Sequence, residues 1–174
     1  MDRLKWFDRK FDFGYTENIF PMILERLMGT PPRLTYKLKS IPPELLETKI
    51  DDSWSIKENI GHLTDLEPLW QKRLDDIISG NEYMTPTDLA NSKTDLADHN
   101  SKPAEELIRE FSMIRLDTLS MLENIPEEFI FRFSLHPRLK TPMRTMDLFL
   151  FVAEHDDHHL ARITAIVKQL RDRD

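Results

Sequence analysis

The segment EHDDHHLARI, Glu154–Ile163, places three of the chain's six histidines and three carboxylates inside a pattern that is otherwise typical of an amphipathic helix. A helix advances about 100° per residue, so His155 and His159 point in nearly the same direction. The apolar residues on that face are Leu148, Val152, Ile166 and Leu170. Because such a face is usually buried, we expect both imidazoles inside the protein and Asp156 and Asp157 towards solvent. Two imidazoles one turn apart can bind one cation.

A third imidazole can come from His62, which shares a helix face with Leu66 and Leu69. His99 and His136 lie in predicted loops and are weaker candidates. A single histidine on an apolar face is usually a hydrogen-bonded interior residue, but burying three unpaired rings would cost about 1–3 kcal/mol each. One shared metal ion removes that cost. Three neutral imidazoles with an open position are typical of a catalytic metal site.

Other kinds of metal site do not fit the sequence. The H-E-x-x-H motif of zinc proteases is absent, and so is the Glu-x-x-His pair that di-iron bundles take from two of their helices. The chain contains no cysteine, which excludes disulfides, zinc–thiolate sites and cysteine nucleophiles. A mononuclear three-histidine site remains.

Four segments with helical periodicity predict an all-α protein, a four-helix bundle with a long loop between helices 2 and 3. The predicted helices span approximately residues 16–28, 55–79, 103–124 and 146–171. GTPP at 29–32 is expected to end the first helix, with a shorter helical piece at 33–39. Ser55 and Glu58 have the spacing of a capping box, and Thr145 is expected to cap the last helix.

Two segments between these helices are predicted to be loops. Residues 81–101 are polar and about as long as loops become without a function. The part around 88–100 could cover the mouth of a pocket or be an ordinary solvated loop. The segment FIFRFSLHPRLKTPMRT, residues 129–145, alternates like a strand in its first half, but because no partner run is evident we expect an extended loop. A length of 174 residues suits one domain, 1–174.

The net charge of −7 disfavours nucleic-acid binding, since an acidic surface repels phosphates and no basic run is present. The first 20 residues are charged and lack the apolar core of a signal peptide, and no apolar run reaches 18 residues. We therefore expect no membrane association and a cytoplasmic location, with a small molecule as substrate.

Further polar residues are candidates for the same site. Arg73 projects within about 20° of His62, and Arg162 lies on the histidine face of the last helix. Each could bind a carboxylate or phosphate of a substrate. Alternatively, each could extend its charged end to solvent or form an ion pair with a neighbouring acid. Asp65 is a candidate for orienting a ligand imidazole.

Three separated segments resemble, in sequence and in order, the DinB-like superfamily, which includes the YfiT-type proteins. They are SWSIKENIGHLTDLEPLW at 53–70, HPRLKTPM at 136–143 and FVAEHDDHHLARI at 151–163. The resemblance extends over about residues 16–170. It implies a four-helix bundle that holds one divalent metal ion, usually nickel or zinc, by a histidine of the second helix and an H-x-x-x-H pair of the last. The matching positions are His62, His155 and His159.

Members of that family include bacillithiol and mycothiol S-transferases, a thiol-dependent isomerase and proteins classed as metal-dependent hydrolases, and they often form homodimers. The resemblance implies an enzyme that transfers a low-molecular-weight thiol to an electrophilic small molecule. Two alternatives remain open. One is a hydrolase that uses a metal-bound water, and the other is a non-catalytic module in which the metal links the second and last helices. No catalytic residue beyond the bound water or thiol is assigned.

Overall fold

A computed structural model of the protein describes residues 6–172, so the first five and last two residues of the predicted domain lie outside it. Within this range the chain forms six helices and one hairpin. The helices are α1 (Phe20–Leu38), α2 (Ile56–Ser79), α3 (Ser92–Leu96), α4 (Ala104–Glu123), α5 (Glu127–Ile130) and α6 (Thr145–Arg171). The strands are β1 (Phe133–Leu135) and β2 (Pro142–Arg144), and short 3-10 turns occupy Trp6–Asp8, Pro43–Leu45 and His99–Ser101.

The four long helices α1, α2, α4 and α6 form a bundle. Both α1 and α2 pack against α4 and α6, which places α1 and α2 at opposite corners. The predicted four-helix bundle is therefore confirmed. None of the helices in the described range is long and apolar enough to cross a bilayer.

A buried polar layer divides the bundle core into two hydrophobic clusters. One cluster includes Trp70 and Phe149, and the other includes Phe111 and Ile163. The polar layer consists of Thr30, Glu67, Arg115, Thr118 and Asp156, contributed by all four long helices. It lies at the same level as the histidines of α6, so the candidate site is built where the apolar packing is interrupted.

Arg115 is the centre of the polar layer. Its Nη1 donates to Asp156 at 2.6 Å, and its Nε donates to Glu67 at 2.9 Å. Thr30 Oγ1 donates to the same Asp156 carboxylate at 2.7 Å. The prediction that Asp156 faces solvent is wrong, because its side chain is the buried partner of this cation. A buried charge is tolerated when it is paired in this way.

Helix α1 is continuous from Phe20 to Leu38, so the predicted break at 29–32 is wrong. Pro31 and Pro32 lie inside the helix and lack the N–H groups that would bond to the carbonyls four residues earlier. Arg115 Nη1 lies 3.2 Å from the freed carbonyl oxygen of Leu27. The tertiary contact supplies the hydrogen bond that the sequence of α1 cannot.

The segment after α5 is a two-stranded antiparallel hairpin, which corrects the predicted extended loop. Phe133 pairs with Arg144 and Leu135 with Pro142, so the partner strand comes from the same segment of the chain. Leu135 also exchanges backbone hydrogen bonds with the segment at 82–84. The hairpin orients His136, the residue that follows β1, towards α2.

Both ends of α2 lie where the sequence predicts them, but the predicted cap of α6 is wrong. Ser55 and Glu58 form the predicted capping box, and Gly80 ends α2 with a φ of 75°. Thr145 is already the first residue of α6, and Asp147 instead accepts from the backbone N–H of Arg144 at 2.9 Å.

Candidate metal centre

Three buried imidazoles from two helices meet at one point. His62 of α2 and His155 and His159 of α6 each contribute a ring nitrogen, and these nitrogens lie within 4.8 Å of one another. Each side chain is 4–5% exposed. The structure thus brings together the three residues that the sequence selected as metal ligands, while His99 and His136 lie elsewhere.

His159 is oriented by Asn59, one turn before His62 on α2. The Asn59 amide nitrogen donates to the backbone carbonyl of Ser55 at 2.7 Å, which turns the amide oxygen towards His159. His159 Nδ1 lies 2.9 Å from that oxygen and donates to it. Because a neutral imidazole carries one proton, the Nε2 atom of His159 is left with a free lone pair.

His62 is oriented by a chain of hydrogen bonds that begins outside the bundle. Its Nδ1 donates to Thr94 Oγ1 at 3.0 Å, and Thr94 donates to Asp65 Oδ2 at 2.9 Å. His99 Nε2 donates to the same oxygen at 2.8 Å. Burial raises the pKa of Asp65, but the bonds from His99 and Thr94 outweigh it and hold that pKa below its ordinary value. Asp65 therefore orients His62 through Thr94, without a direct contact.

The third ring, His155, completes a donor set that suits a divalent cation. Its Nε2 lies 3.2 Å from Nε2 of His159, and its Nδ1 has no hydrogen-bond partner among residues 6–172. A cation that binds imidazole nitrogens at about 2.0–2.1 Å requires adjacent ligand atoms about 3 Å apart. The observed separation fits this requirement. In the absence of a cation the same contact is a His–His hydrogen bond with the proton on His155 Nε2.

The three histidines are held in the neutral form that binds metals. Burial lowers the pKa of His62 to about 4. Burial and the neighbouring imidazoles also lower the pKa values of His155 and His159 well below the ordinary value. At neutral pH no imidazolium has to lose a proton to solvent before a cation binds, and His155 has only to move its proton from Nε2 to Nδ1, which is unpartnered in the described chain.

The three histidines line a cavity of about 130 Å³ that opens to solvent. Aromatic side chains form much of its wall: Trp6, Trp54, Trp70 and Phe151. Residues 87–89 and Asn91 form another part, so the long loop after α2 borders the cavity. Such a mostly apolar cleft with convergent polar groups is typical of a small-molecule site.

Both arginines that the sequence selected for substrate binding line this cavity. Arg73 is 1% exposed and forms no ion pair within the described residues. Arg73 thus forms no close ion pair in that range. Burial lowers its pKa, and the charge of Asp76, one turn later on α2, raises it in part. Arg162 is half-buried, with its guanidinium 5.8 Å from the centre of the Trp54 ring.

Two orienting residues, Asn59 and Thr94, were missed by the sequence analysis. Asn59 is detectable in principle, because it lies three residues before His62 on the same helix face. Thr94 has no comparable signal, since it comes from the short helix α3 inside a segment without long-range periodicity.

Comparisons with known proteins agree with this architecture. A family model described as the DinB superfamily matches residues 26–163. YfiT from Bacillus subtilis, described as a probable metal-dependent hydrolase with an unusual four-helix bundle topology, superposes with a TM-score of 0.78 at 18% identity, covering 93% of each chain. An uncharacterised protein from Clostridium difficile gives a TM-score of 0.62 at 13% identity, covering 91% of this chain and 98% of the other.

A mycothiol-dependent maleylpyruvate isomerase also superposes, with a TM-score of 0.61 at 12% identity. The match covers 82% of this chain but 59% of the isomerase. At these identities the likenesses establish the fold alone. No curated protein matches the sequence significantly.

Proposed function

The chain belongs to the DinB superfamily, and from this premise we propose that it is a metal-dependent enzyme in which His62, His155 and His159 hold one divalent cation. The proposal rests on one observation. Three buried imidazole nitrogens from α2 and α6 lie within 4.8 Å of one another in the wall of an open cavity. A structural metal site is usually closed, whereas these three histidines face a cavity that admits small molecules, as a catalytic site does.

A divalent cation in such a site lowers the pKa of a water or thiol that it binds, which supplies a nucleophile at neutral pH. The chain's own residues prepare the site for this chemistry. Asn59 and Thr94 fix the protons of His159 and His62 on Nδ1, so that Nε2 of each ring is available. Trp70 lies 5.9 Å from the His155 ring, centre to centre, and excludes water from that side.

We propose transfer of a low-molecular-weight thiol to an electrophilic small molecule as the reaction. The thiol has to come from outside, because the chain contains no cysteine. Similarity to a mycothiol-dependent enzyme is compatible with this reaction. The second candidate is hydrolysis with water as nucleophile, which the likeness to the YfiT bundle favours.

Nickel or zinc is the proposed metal, since imidazole ligands suit both. A homodimer is proposed from the family resemblance, and the cytoplasmic location stays a prediction from the sequence. Nucleic acid is not a proposed partner, because the net charge is −7.

Elemental analysis of the untagged protein tests the metal site directly. Wild type is compared with the double variant His155→Ala/His159→Ala and with His158→Ala, a matched control from the same segment that lines the cavity outside the three-nitrogen cluster. We expect about one metal ion per chain in wild type and control, and loss of the metal in the double variant. Absence of metal from wild type after nickel or zinc is added would contradict the proposal.

Chelation separates an enzyme from a module in which the metal only links helices. For an enzyme we expect turnover to be lost while the melting temperature changes little. A large fall in the melting temperature on chelation would instead indicate a structural metal. Screening electrophiles with and without an added thiol then separates S-transfer from hydrolysis, because a hydrolase is active without the thiol.

A further inference from the structure

A second polar cluster lines the cavity away from the three histidines. Arg73 of α2 and His136, the residue that follows β1, are both buried and both contribute to the cavity wall. Arg73 Nη1 lies 3.3 Å from His136 Nε2. The side chains of Trp70 and Phe151 separate this pair from His155, with Phe151 5.8 Å from the His136 ring, centre to centre.

Within the described chain, the Arg73 guanidinium is hydrogen-bonded at Nε but not at Nη2. Its Nε donates to the carbonyl oxygen of Thr85 at 2.9 Å, which fixes the plane of the group. Its Nη2 is buried and has no hydrogen-bond partner within the described residues. Burial lowers the pKa of Arg73 to about 10, so the group is cationic at neutral pH. A buried cation with a free donor edge is a costly arrangement that an anion would relieve.

The proton of His136 adds another hydrogen-bond donor beside the Arg73 guanidinium. The backbone N–H groups of Arg138 and Leu139 both lie 3.2 Å from His136 Nδ1, which makes that nitrogen an acceptor. The proton of a neutral imidazole then resides on Nε2. At Nε2 it meets Nη1 of Arg73, which can only donate. Two donors therefore face each other, and Nη2 of the same guanidinium also has no acceptor among residues 6–172.

We propose that Arg73 and His136 form a subsite for the carboxylate group of the substrate. The parallel N–H groups of Nη1 and Nη2 match the two oxygens of a carboxylate, and His136 Nε2 supplies a third donor. The inference rests on the proposed function in one respect, namely that the carboxylate belongs to the molecule that reacts at the three histidines. The substrate is then a small carboxylic acid. When its carboxylate binds Arg73 and His136, its reactive carbon lies on the other side of Trp70 and Phe151, near the three histidines.

The charges of the cavity wall support an anionic ligand. Among residues 6–172, the cavity wall contains the arginines Arg73, Arg138 and Arg162 and one carboxylate, that of Asp88. The Asp88 carboxylate accepts from the backbone N–H groups of Ala90 and Ser92 at 2.9 and 2.7 Å. A concentration of positive charge in a chain of net charge −7 draws anions to this cleft rather than to the rest of the surface.

The test is an NMR titration of the full-length protein with benzoate as probe, followed through the arginine side-chain N–H signals. Benzamide, its neutral counterpart, and inorganic phosphate are titrated in parallel. The variant Arg73→Lys keeps the charge and loses the paired donors. Its matched control is Arg132→Lys, since Arg132 also donates to a backbone carbonyl, that of Ile78 at 2.8 Å, but lies outside the cavity wall.

We expect benzoate to bind saturably, to shift the Arg73 signal and to bind about tenfold more weakly to Arg73→Lys, with the control within twofold of wild type. Benzamide is expected not to bind. If Arg73→Lys does not fold, the variant His136→Asn is tested in its place. The asparagine amide oxygen can still accept from the backbone N–H groups at 138–139, whereas the donor at His136 Nε2 is lost. The same weakening of benzoate binding is expected there.

Equal benzoate affinity in wild type and Arg73→Lys would overturn the subsite, as would tight binding of benzamide. Preference for phosphate over benzoate would overturn the carboxylate assignment. Each titration is run on metal-loaded and on chelator-treated protein of known metal content. Binding that persists without metal belongs to Arg73 and His136, whereas failure to bind metal would refute the proposed function and leave this result unaffected.

Discussion

The ring of His99 lies against the backbone of Gly61 so closely that a Cβ built at position 61 would be 2.3 Å from His99 Cγ. His99 donates to Asp65, and Asp65 accepts from the Thr94 hydroxyl that orients His62. Because Gly61 has no side chain, the His99 ring can lie where it donates to Asp65. Gly61 therefore helps to orient His62, although it contributes no polar group.

The substitution Gly61→Ala tests this relationship. Alanine in a helix interior usually stabilises by about 0.5–1 kcal/mol relative to glycine. Here we expect destabilisation and weaker metal binding, because the added methyl group displaces His99. Gly29→Ala is the matched control in α1, where a Cβ would meet nothing nearer than 3.8 Å and the ordinary stabilisation should appear. Thermal unfolding and zinc titration measure both effects, and equal gains in the two variants would contradict the prediction.

Thr94→Val should lower metal affinity about 10–100-fold, as losses of hydrogen-bond partners of ligand imidazoles usually do. Valine has the shape of threonine but offers no acceptor for the N–H of His62. Thr64→Val serves as control, because the Thr64 hydroxyl is buried without a partner among residues 6–172. We expect that control to bind metal like wild type in calorimetric titration. A Thr94→Val affinity equal to that of the control would exclude the orienting role.

Arg115→Leu should cost about 3–5 kcal/mol of unfolding free energy, since it leaves the carboxylates of Glu67 and Asp156 buried without their cation. Chemical denaturation measures the loss. Arg109→Leu removes the same charge from the exposed side of α4 and should change stability by no more than about 0.5 kcal/mol. Similar losses in both variants would point to a general charge effect instead.

The imidazole of His136 should stay neutral in the folded, metal-free protein until the pH is near 4. Burial lowers its pKa to about 4, and Arg73 and Arg138 act in the same direction. The unfolded chain takes up this proton near pH 6.5, so the stability that His136 contributes above pH 6.5 is lost as the pH falls from 6.5 towards 4. Imidazole 15N shifts report the folded midpoint directly. A midpoint near 6.5 would be incompatible with this environment.

Helical periodicity accounts for what the sequence could predict about the site. His155 and His159 share a face with apolar residues, and His62 lies among leucines, so their common burial follows from local spacing alone. The same reasoning failed for Asp156, which periodicity places towards solvent. Its burial depends on Arg115 of α4, about 40 residues earlier, and no local pattern contains that pairing.

The other differences between prediction and structure have two causes. Some depend on contacts between residues far apart in the sequence, and others on backbone conformations that the local residue types disfavour. Thr94 approaches His62 only because the loop after α2 folds back on that helix. The strand β1 pairs with a short run containing Pro142, which resembles a loop until the pairing is known.

The two prolines of α1 also constrain the order in which the bundle assembles. A helix that lacks two successive backbone hydrogen bonds, and whose Leu27 carbonyl is instead satisfied by Arg115, gains little from forming before α4 is in place. We therefore expect α1 to become helical by docking onto the other helices. If α1 detaches before the rest of the bundle unfolds, its backbone amides should exchange with solvent earlier than those of α4.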